Sequence, residues 1–334
     1  MVVGRRPFPA RSEDSLFKAF RALLTAATTV GGQAVMEGVM MRSKDRLAIA
    51  VRKQSGEIVV EIRPWFSLTG RPWLRKPFVR GFPVLLETLI NGIKALNFSA
   101  QVAMSEEEGG ELGPWAMAGT LALSVGLAVG LFVVLPHLFS LGMKWWGLSG
   151  DVQSLSFQAW DGLFKFILFL GYVAGISLLP DIRRVFQYHG AEHKAIWAYE
   201  KGVELCPQAV RGYSRLHPRC GTAFLLFVLT LSIVLFAMLV PVALSLWAPA
   251  GPVLKQAWVI AVKLLLMVPV SSAAYELIRL AGRFHGNIFW KAMSCPGLML
   301  QVLTTFEPDD SHLEVAIAAL RGAVEGKCQP CSPS

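Results

Sequence analysis

The segment Tyr188–Glu200, with the sequence YHGAEHKAIWAYE, combines residue types and spacings that suit metal chemistry. His189 and His193 are four residues apart, so on a helix both imidazoles lie on one face and can bind one divalent cation, with zinc the best match. Glu192 directly precedes the second histidine. This H-x-x-E-H order is that of the inverzincin peptidases, in which the glutamate is the general base. The alternative is a polar helix that binds no metal.

Further candidate ligands follow along the chain. His217 and Cys220, in HPRCGT, are three residues apart and stand just before an apolar segment, so they form a second pair of metal-ligating side chains. Glu276 ends the last apolar segment, where a carboxylate is costly unless it is paired or coordinated. It could bind the same cation or pair with a nearby cation such as Arg279.

Two ligand sets are consistent with these residues. The two helical histidines with His217 and Cys220 would make a closed, structural site, because four protein ligands fill the usual zinc geometry. The same histidines with Glu276 would leave a coordination position for water or substrate, as catalytic sites do. Glu192 would then be the general base, and His217 would donate a proton or stabilise developing charge. The sequence leaves both sets open.

Four apolar segments must position these residues. Only 16% of the 334 residues are charged, against roughly 25% in soluble domains. Segments of about 20 apolar residues are long enough to cross a bilayer. They are Trp115–Leu135, Phe157–Leu179, Thr222–Leu246 and Trp258–Leu277. The sequence therefore predicts a mostly α-helical, polytopic membrane protein with the lipid bilayer as its main partner; a soluble helical protein is the alternative.

The basic residues behind the net charge of +9 are distributed as in a membrane protein. Lys and Arg concentrate before residue 100 and within residues 182–221, whereas the connections 136–156 and 247–257 have one lysine each. Positive residues stay on the cytoplasmic side of membrane proteins. This pattern predicts a bacterial inner-membrane protein with both termini and the histidine segment in the cytoplasm, and it does not indicate specific nucleic-acid binding.

The other regions supply smaller elements. Arg46–Lys53 and Glu57–Arg63 alternate in polarity around a QSG turn, which predicts a β-hairpin. The basic, aromatic segment RPWLRKPFVRGFP and a helix over Val84–Met104 should lie at the membrane surface. The expected order of regions is a disordered segment and short helix (1–30), hairpin and interfacial helix (31–114), first transmembrane hairpin (115–181), cytoplasmic metal-motif loop (182–221), second transmembrane hairpin (222–280) and cytoplasmic C-terminal region (281–334).

Five stretches between about residues 31 and 324 carry a family resemblance: GGQAVMEGVMMR, FQYHGAEHKAIWAYE, YSRLHPRCGT, YELIRLAG and PGLMLQVLTTFEPDDSHLEVAIAAL. The chain resembles the bacterial YqhQ family, a domain of unknown function (1385) whose members are labelled predicted metal-dependent enzymes. The resemblance implies a metal site at the H-x-x-E-H motif. In the first stretch, Glu37 either pairs with Arg42 in a buried turn or lies beside the metal segment.

Polar residues of the last stretch could line a pocket or cap helices. These residues are Gln301, Thr304, Thr305 and Glu307.

Three classes of function remain. The first is a metal-dependent hydrolase acting on a membrane-attached peptide or a lipid-linked substrate. The second is a membrane scaffold or regulatory protein with a structural zinc. The third is transport, suggested by Asp161 and Lys263 within the apolar segments and opposed by the lack of a repeat. The CxxC of Cys328 and Cys331 is taken as part of a flexible tail. The sequence determines neither the substrate, the metal nor the oligomeric state.

Overall fold

The computed structural model describes residues 30–44, 46–104, 113–218, 220–283 and 288–326. The predicted N-terminal helix, the isolated His285 and the C-terminal CxxC lie outside these residues. Four strands come first: β1 (Val30–Val35), β2 (Gly38–Ser43), β3 (Arg46–Arg52) and β4 (Ile58–Pro64). Ten α-helices follow within the described ranges: α1 (Gly81–Ala103), α2 (Pro114–Val129), α3 (Leu135–Trp145), α4 (Leu155–Ile176), α5 (Pro180–Glu200), α6 (Pro207–Val210), α7 (Thr222–Leu246), α8 (Pro252–Arg283), α9 (Ile288–Thr304) and α10 (Asp310–Glu325).

The strands form one antiparallel sheet in the order β1-β2-β3-β4. The predicted hairpin is confirmed as β3 and β4, but the prediction of a single hairpin is wrong, because β1 and β2 extend it to four strands. In β2 the consecutive residues Val39, Met40 and Met41 are all buried. A strand that is buried on both faces does not alternate in polarity, so this segment lacks the signal that identified the hairpin.

Helices cover both faces of the sheet. On one face, Met41 and Ala48 share a hydrophobic cluster with residues of α5 and α10. On the other, Met40 and Ile49 pack with Ala95 of α1. Helix α10 is rich in alanine, and small side chains allow close approach to the strands. The sheet thereby fixes the position of α5, which carries the H-x-x-E-H motif.

Four helical stretches are long and apolar enough to cross a membrane, as the sequence predicts: Ala118–Trp145, Leu155–Ile176, Phe224–Leu246 and Pro252–Leu280. The first continues ten residues beyond its predicted end at Leu135. A π-helical segment, Gly130–Val134, joins α2 to α3 there, and Pro136 occupies the first turn of α3. Pro136 has no N–H to donate to the preceding turn. The wider hydrogen-bond spacing of the π-helical segment lets the helix continue past the proline.

Charged side chains meet between these apolar helices. Lys263 Nζ donates to Asp161 Oδ1 at 2.6 Å, and Lys165 Nζ lies 3.3 Å from Asp161 Oδ2. His137 contacts Lys263 through Nδ1 at 3.4 Å and Gln256 through Nε2 at 2.9 Å. Asp161 and Lys165 are four residues apart on α4, whereas Lys263 comes from α8.

The segment expected to be a metal-motif loop is largely helical. Helix α4 ends at Ile176, and α5 begins at Pro180, whose fixed φ suits the first helical position. Irregular chain and the short α6 then lead back to α7. This arrangement puts the two histidines on a rigid helix, and Cys220, just before α7, lies 3.2 Å from His189.

Candidate metal centre

Helix α5 buries its H-x-x-E-H motif. His189, Glu192 and His193 are all buried, and the two imidazole rings lie 4.4 Å apart. His189 Nδ1 donates to the Thr304 carbonyl at 2.7 Å, and His193 Nδ1 donates to the Arg215 carbonyl at 2.6 Å. A carbonyl only accepts, so each Nδ1 carries the proton and each Nε2 presents a lone pair. This anchoring is typical of histidines that bind metals.

Cys220 joins the two histidines. Its Sγ lies 3.2 Å from His189 Nε2 and receives contacts from the Thr222 hydroxyl and amide. One donor atom from each of His189, His193 and Cys220 lies within 4.8 Å of the other two. Burial alone would raise the pKa of the Cys220 thiol, but the neighbouring His193 and Thr222 outweigh it, and the pKa lies below its ordinary value. A thiol that ionises easily is a good zinc ligand.

Glu192 faces this group with an oxygen that lacks a partner. The Gly32 amide of β1 donates to its carboxylate, whereas Oε2 is buried without a hydrogen-bond partner in the described part of the chain. The same holds for His193 Nε2. Burial raises the pKa of Glu192 to about 8, although His189 opposes the shift. Buried polar atoms without partners cost about 1–3 kcal/mol each. His193 Nε2 is itself one of the three donor atoms, so the three donors together with Glu192 Oε2 fit a site that holds a cation.

His217 lies beside the group of three and outside it. Its ring is 5.8 Å from that of His193 and 4.7 Å from that of Trp197, and its Nε2 lies 3.6 Å from a Glu200 oxygen. Burial lowers the pKa of His217 to about 4, so the imidazole is neutral at pH 7. Gln301 fixes its backbone, accepting from the amide at 2.8 Å and donating to the carbonyl at 2.9 Å.

Glu276 is not brought to the histidines. Both of its oxygens accept from the Arg80 guanidinium, at 2.7 and 2.6 Å, and the Phe78 amide lies 3.4 Å away. A bidentate pair with arginine satisfies the carboxylate and leaves it little capacity to bind a metal. The predicted open set of His189, His193 and Glu276 is therefore not assembled, and Cys220 takes the third position.

Glu37 lies beside the metal segment, which is the second of the two expectations, and its partners there are not candidate ligands. It lies in the turn between β1 and β2 with φ 51. Its carboxylate accepts from both Nε and Nη2 of Arg184, the latter at 2.7 Å, and from the Tyr188 hydroxyl at 3.2 Å. Both partners belong to α5, so Glu37 pairs neither with Arg42 nor with a metal-ligating residue. It ties the sheet to the helix that carries the motif.

The residues that follow α9 hold helix α5 and the loop before Cys220 in position. The Thr305 carbonyl accepts from Arg215, and Glu307 accepts from the buried Lys194 of α5. Gly190 contacts the Phe306 carbonyl so closely that a Cβ atom would have no room. The polar residues of the fifth stretch of family resemblance thus hold the loop and helix in place, and His189 of the group of three contacts this stretch through the Thr304 carbonyl.

A cleft of about 240 Å³ opens onto Glu192, His193 and Cys220. Its other walls include β1, Thr88 of α1 and the Arg42 guanidinium, which lies 3.8 Å over the Trp65 ring. Sequence reasoning missed this cleft, the Arg80 clamp and the contact between Gly32 and Glu192. The two adjacent glycines were the available signal, because glycine in a strand often marks a close approach.

Comparison with known proteins gives a family and a relative. Residues 76–326 match the family described as "Protein of unknown function (DUF1385)". "Uncharacterized protein YqhQ" from Bacillus subtilis (strain 168) is 35% identical over 305 residues, which cover 86% of this chain and 89% of that protein. No solved structure matches.

Proposed function

Because the chain belongs to the DUF1385 family, whose description gives no activity, we propose its function from the site: it is a metal-dependent hydrolase that holds a divalent cation, zinc, between His189, His193 and Cys220. One observation carries the proposal. Glu192, whose buried Oε2 has no hydrogen-bond partner among the described residues, lines the same cleft as His193 and Cys220. The donor atoms of these two residues and of His189 lie within 4.8 Å of one another. Three protein ligands leave a coordination position, as catalytic zinc sites do.

The residues have separate roles. A bound divalent cation would polarise a substrate carbonyl, lower the pKa of a water molecule and favour the ionised form of Glu192. Glu192 accepts the proton of the attacking water at Oε2 and returns it to the leaving group as general acid. The neutral His217 lines the cleft, and we assign it the stabilisation of developing negative charge.

We place this site at the cytoplasmic face of a bacterial inner membrane. The four apolar helices support membrane insertion, and the distribution of Lys and Arg supports cytoplasmic termini. One residue, Gly221, separates Cys220 from α7, and both residues line the cleft. The cleft is therefore next to the start of one candidate span, where a substrate attached to the membrane can reach it.

The test compares metal content with hydrolysis. Purified protein loaded with zinc is assayed on p-nitrophenyl acetate, and its zinc is counted by plasma mass spectrometry. We expect Glu192→Gln to keep zinc and lose about 10²–10⁴-fold in kcat/KM, while His189→Ala loses the zinc. Glu61→Gln, which alters a glutamate of β4 paired with Arg63, is the matched control. Full hydrolysis by Glu192→Gln, or no zinc in the wild type, would refute the hydrolase.

A second function is a scaffold with a structural zinc. The observation that favours it is His217, whose ring lies 5.8 Å from His193 and could turn to become a fourth ligand. X-ray absorption separates the two functions. Three protein ligands and one water support the hydrolase, whereas three histidines and one cysteine support the scaffold, in which Glu192→Gln would have no effect on function.

A further inference from the structure

The strand that borders the cleft has an open edge. Within the described residues, β1 pairs with β2 on one side and with no strand on the other. Its central residues Gly31, Gly32 and Gln33 are exposed, and all three line the cleft together with Glu192. Exposed strand edges carry N–H and C=O groups that can pair with another extended chain. At the centre of this edge the Gly32 N–H is already engaged by Glu192, which leaves the Gly32 C=O to accept from an added strand.

The proposed base lies directly against this edge. The Gly32 amide donates to the Glu192 carboxylate, and a Cβ atom at Gly32 would stand 2.8 Å from Glu192 Cδ. Only glycine therefore lets the carboxylate approach the strand this closely. A Cβ atom at Gly31 would point to the opposite face of the strand and would meet nothing within 4 Å, so the cleft extends around the edge of β1 to that face.

We propose that the substrate is an extended peptide that adds to β1 as a fifth strand and presents its scissile amide to Glu192. This inference rests on the hydrolase proposed above. Main-chain hydrogen bonds to a sheet edge give affinity without fixing the sequence, and alternate side chains enter pockets. The water oxygen bonds to the amide carbon, the C–N bond breaks, and the water proton passes through Glu192 to the departing amine. The products are a carboxylate and a free amine.

The size of the cleft fits part of a longer chain. Its volume of about 240 Å³ is below the roughly 300–1,000 Å³ of pockets that enclose whole ligands. Val30, Met40 and Ile196 give it apolar walls, and Arg42 stacks on Trp65 at one side. We therefore expect an apolar or aromatic side chain next to the cleaved bond.

The probe is a tryptic peptide library from a bacterial proteome, incubated with zinc-loaded full-length protein and read by mass spectrometry. Cleaved peptides should show side-chain preferences at every second position and lack proline at paired positions, because proline has no N–H. The same cleavages should be absent with Glu192→Gln. p-Nitrophenyl acetate, which is too small to pair with a strand, is assayed in parallel as a substrate that needs the site but not the edge.

Gly31→Val tests the edge itself. The added side chain enters open space and suits a strand, so the fold is kept while the cleft is narrowed. We expect peptide cleavage to fall about tenfold more than ester hydrolysis. Gly70→Val is the matched control, because Gly70 is exposed, has nothing within 4 Å of a Cβ atom and does not line the cleft.

The outcomes separate the two proposals. Ester hydrolysis that depends on Glu192, with no peptide cleaved, would overturn the peptide substrate and leave the hydrolase standing. Equal losses of both activities in Gly31→Val would overturn strand addition. Absence of any Glu192-dependent hydrolysis would overturn the hydrolase and the peptide together.

Discussion

Two buried glutamates show how the same side chain serves opposite purposes. Glu87 of α1 accepts from the Ser67 hydroxyl at 2.8 Å and from the Leu68 and Thr69 amides at 2.6 Å each. Burial alone would raise its pKa, but these donors outweigh it and the pKa is lowered. Glu192 receives one amide, keeps an oxygen without a partner among the described residues, and has a pKa of about 8. Donors, not burial, distinguish a carboxylate that holds the fold from one that is available for chemistry.

Asp161 extends this comparison to a carboxylate whose partners are charges. We expect Asp161→Asn to lower the free energy of unfolding by about 3–5 kcal/mol, because it leaves two buried lysines without their counter-ion. Denaturant unfolding in detergent micelles measures this. Asp151→Asn is the control, since Asp151 pairs with Lys144 and Lys255 at an exposed site and should cost less than about 1 kcal/mol. Equal effects of the two changes would contradict the argument.

Glu87→Leu should cost about 2–3 kcal/mol, since it removes a charged acceptor from three donors. The dependence on pH gives a sharper test. The pKa of Glu87 is lowered in the folded protein, so its contribution is present above the unfolded value of about 4.3 and is lost as the pH falls through the folded pKa. The gap in unfolding free energy between wild type and variant should therefore narrow in acid; a constant gap would refute this assignment.

Residues that position the loop at the cleft should affect the affinity for zinc. Gln301 makes no contact with His189, His193 or Cys220 among the described residues, and it fixes the backbone of His217 on the loop that leads to Cys220. We expect Gln301→Ala to weaken zinc binding about tenfold, or about 1.4 kcal/mol, in a competition titration with a chelating dye. Gln101→Ala, at an exposed position of α1, should leave the affinity unchanged. An unchanged affinity in Gln301→Ala would show that the loop needs no such support.

Glu192→Leu should change the unfolding free energy least of these substitutions, and it should stabilise the protein where the others destabilise it or weaken zinc binding. In metal-free protein it should leave the unfolding free energy unchanged or raise it by about 1 kcal/mol, because it removes a poorly satisfied buried carboxylate. The pKa of Glu192 is about 8 in the folded protein, above the unfolded value of about 4.3. The folded state then binds the extra proton, so wild-type stability should fall relative to the variant as the pH rises between these values. A rise in wild-type stability relative to the variant over this pH range would contradict the raised pKa of Glu192.

The sequence predicts what depends on neighbours along the chain. The apolar helices, the β3–β4 hairpin and the pairing of Asp161 with Lys165 follow from local spacing. The grouping of His189 and His193 follows from helical periodicity, and Cys220 was identified as a candidate ligand. Glu276 shows the limit, because its partner Arg80 is 196 residues away in the chain and only the packed fold brings them together. The open edge of β1 likewise depends on the order of all four strands.

The hydrogen bonds from His189 and His193 to main-chain carbonyls have a consequence for the binding and release of a cation. Both rings are oriented by main-chain groups of the folded protein, so the ligand geometry exists before any ion arrives. Small zinc domains unfold when a chelator strips them. This protein should instead remain folded under chelation and regain activity on resupply, with no refolding delay.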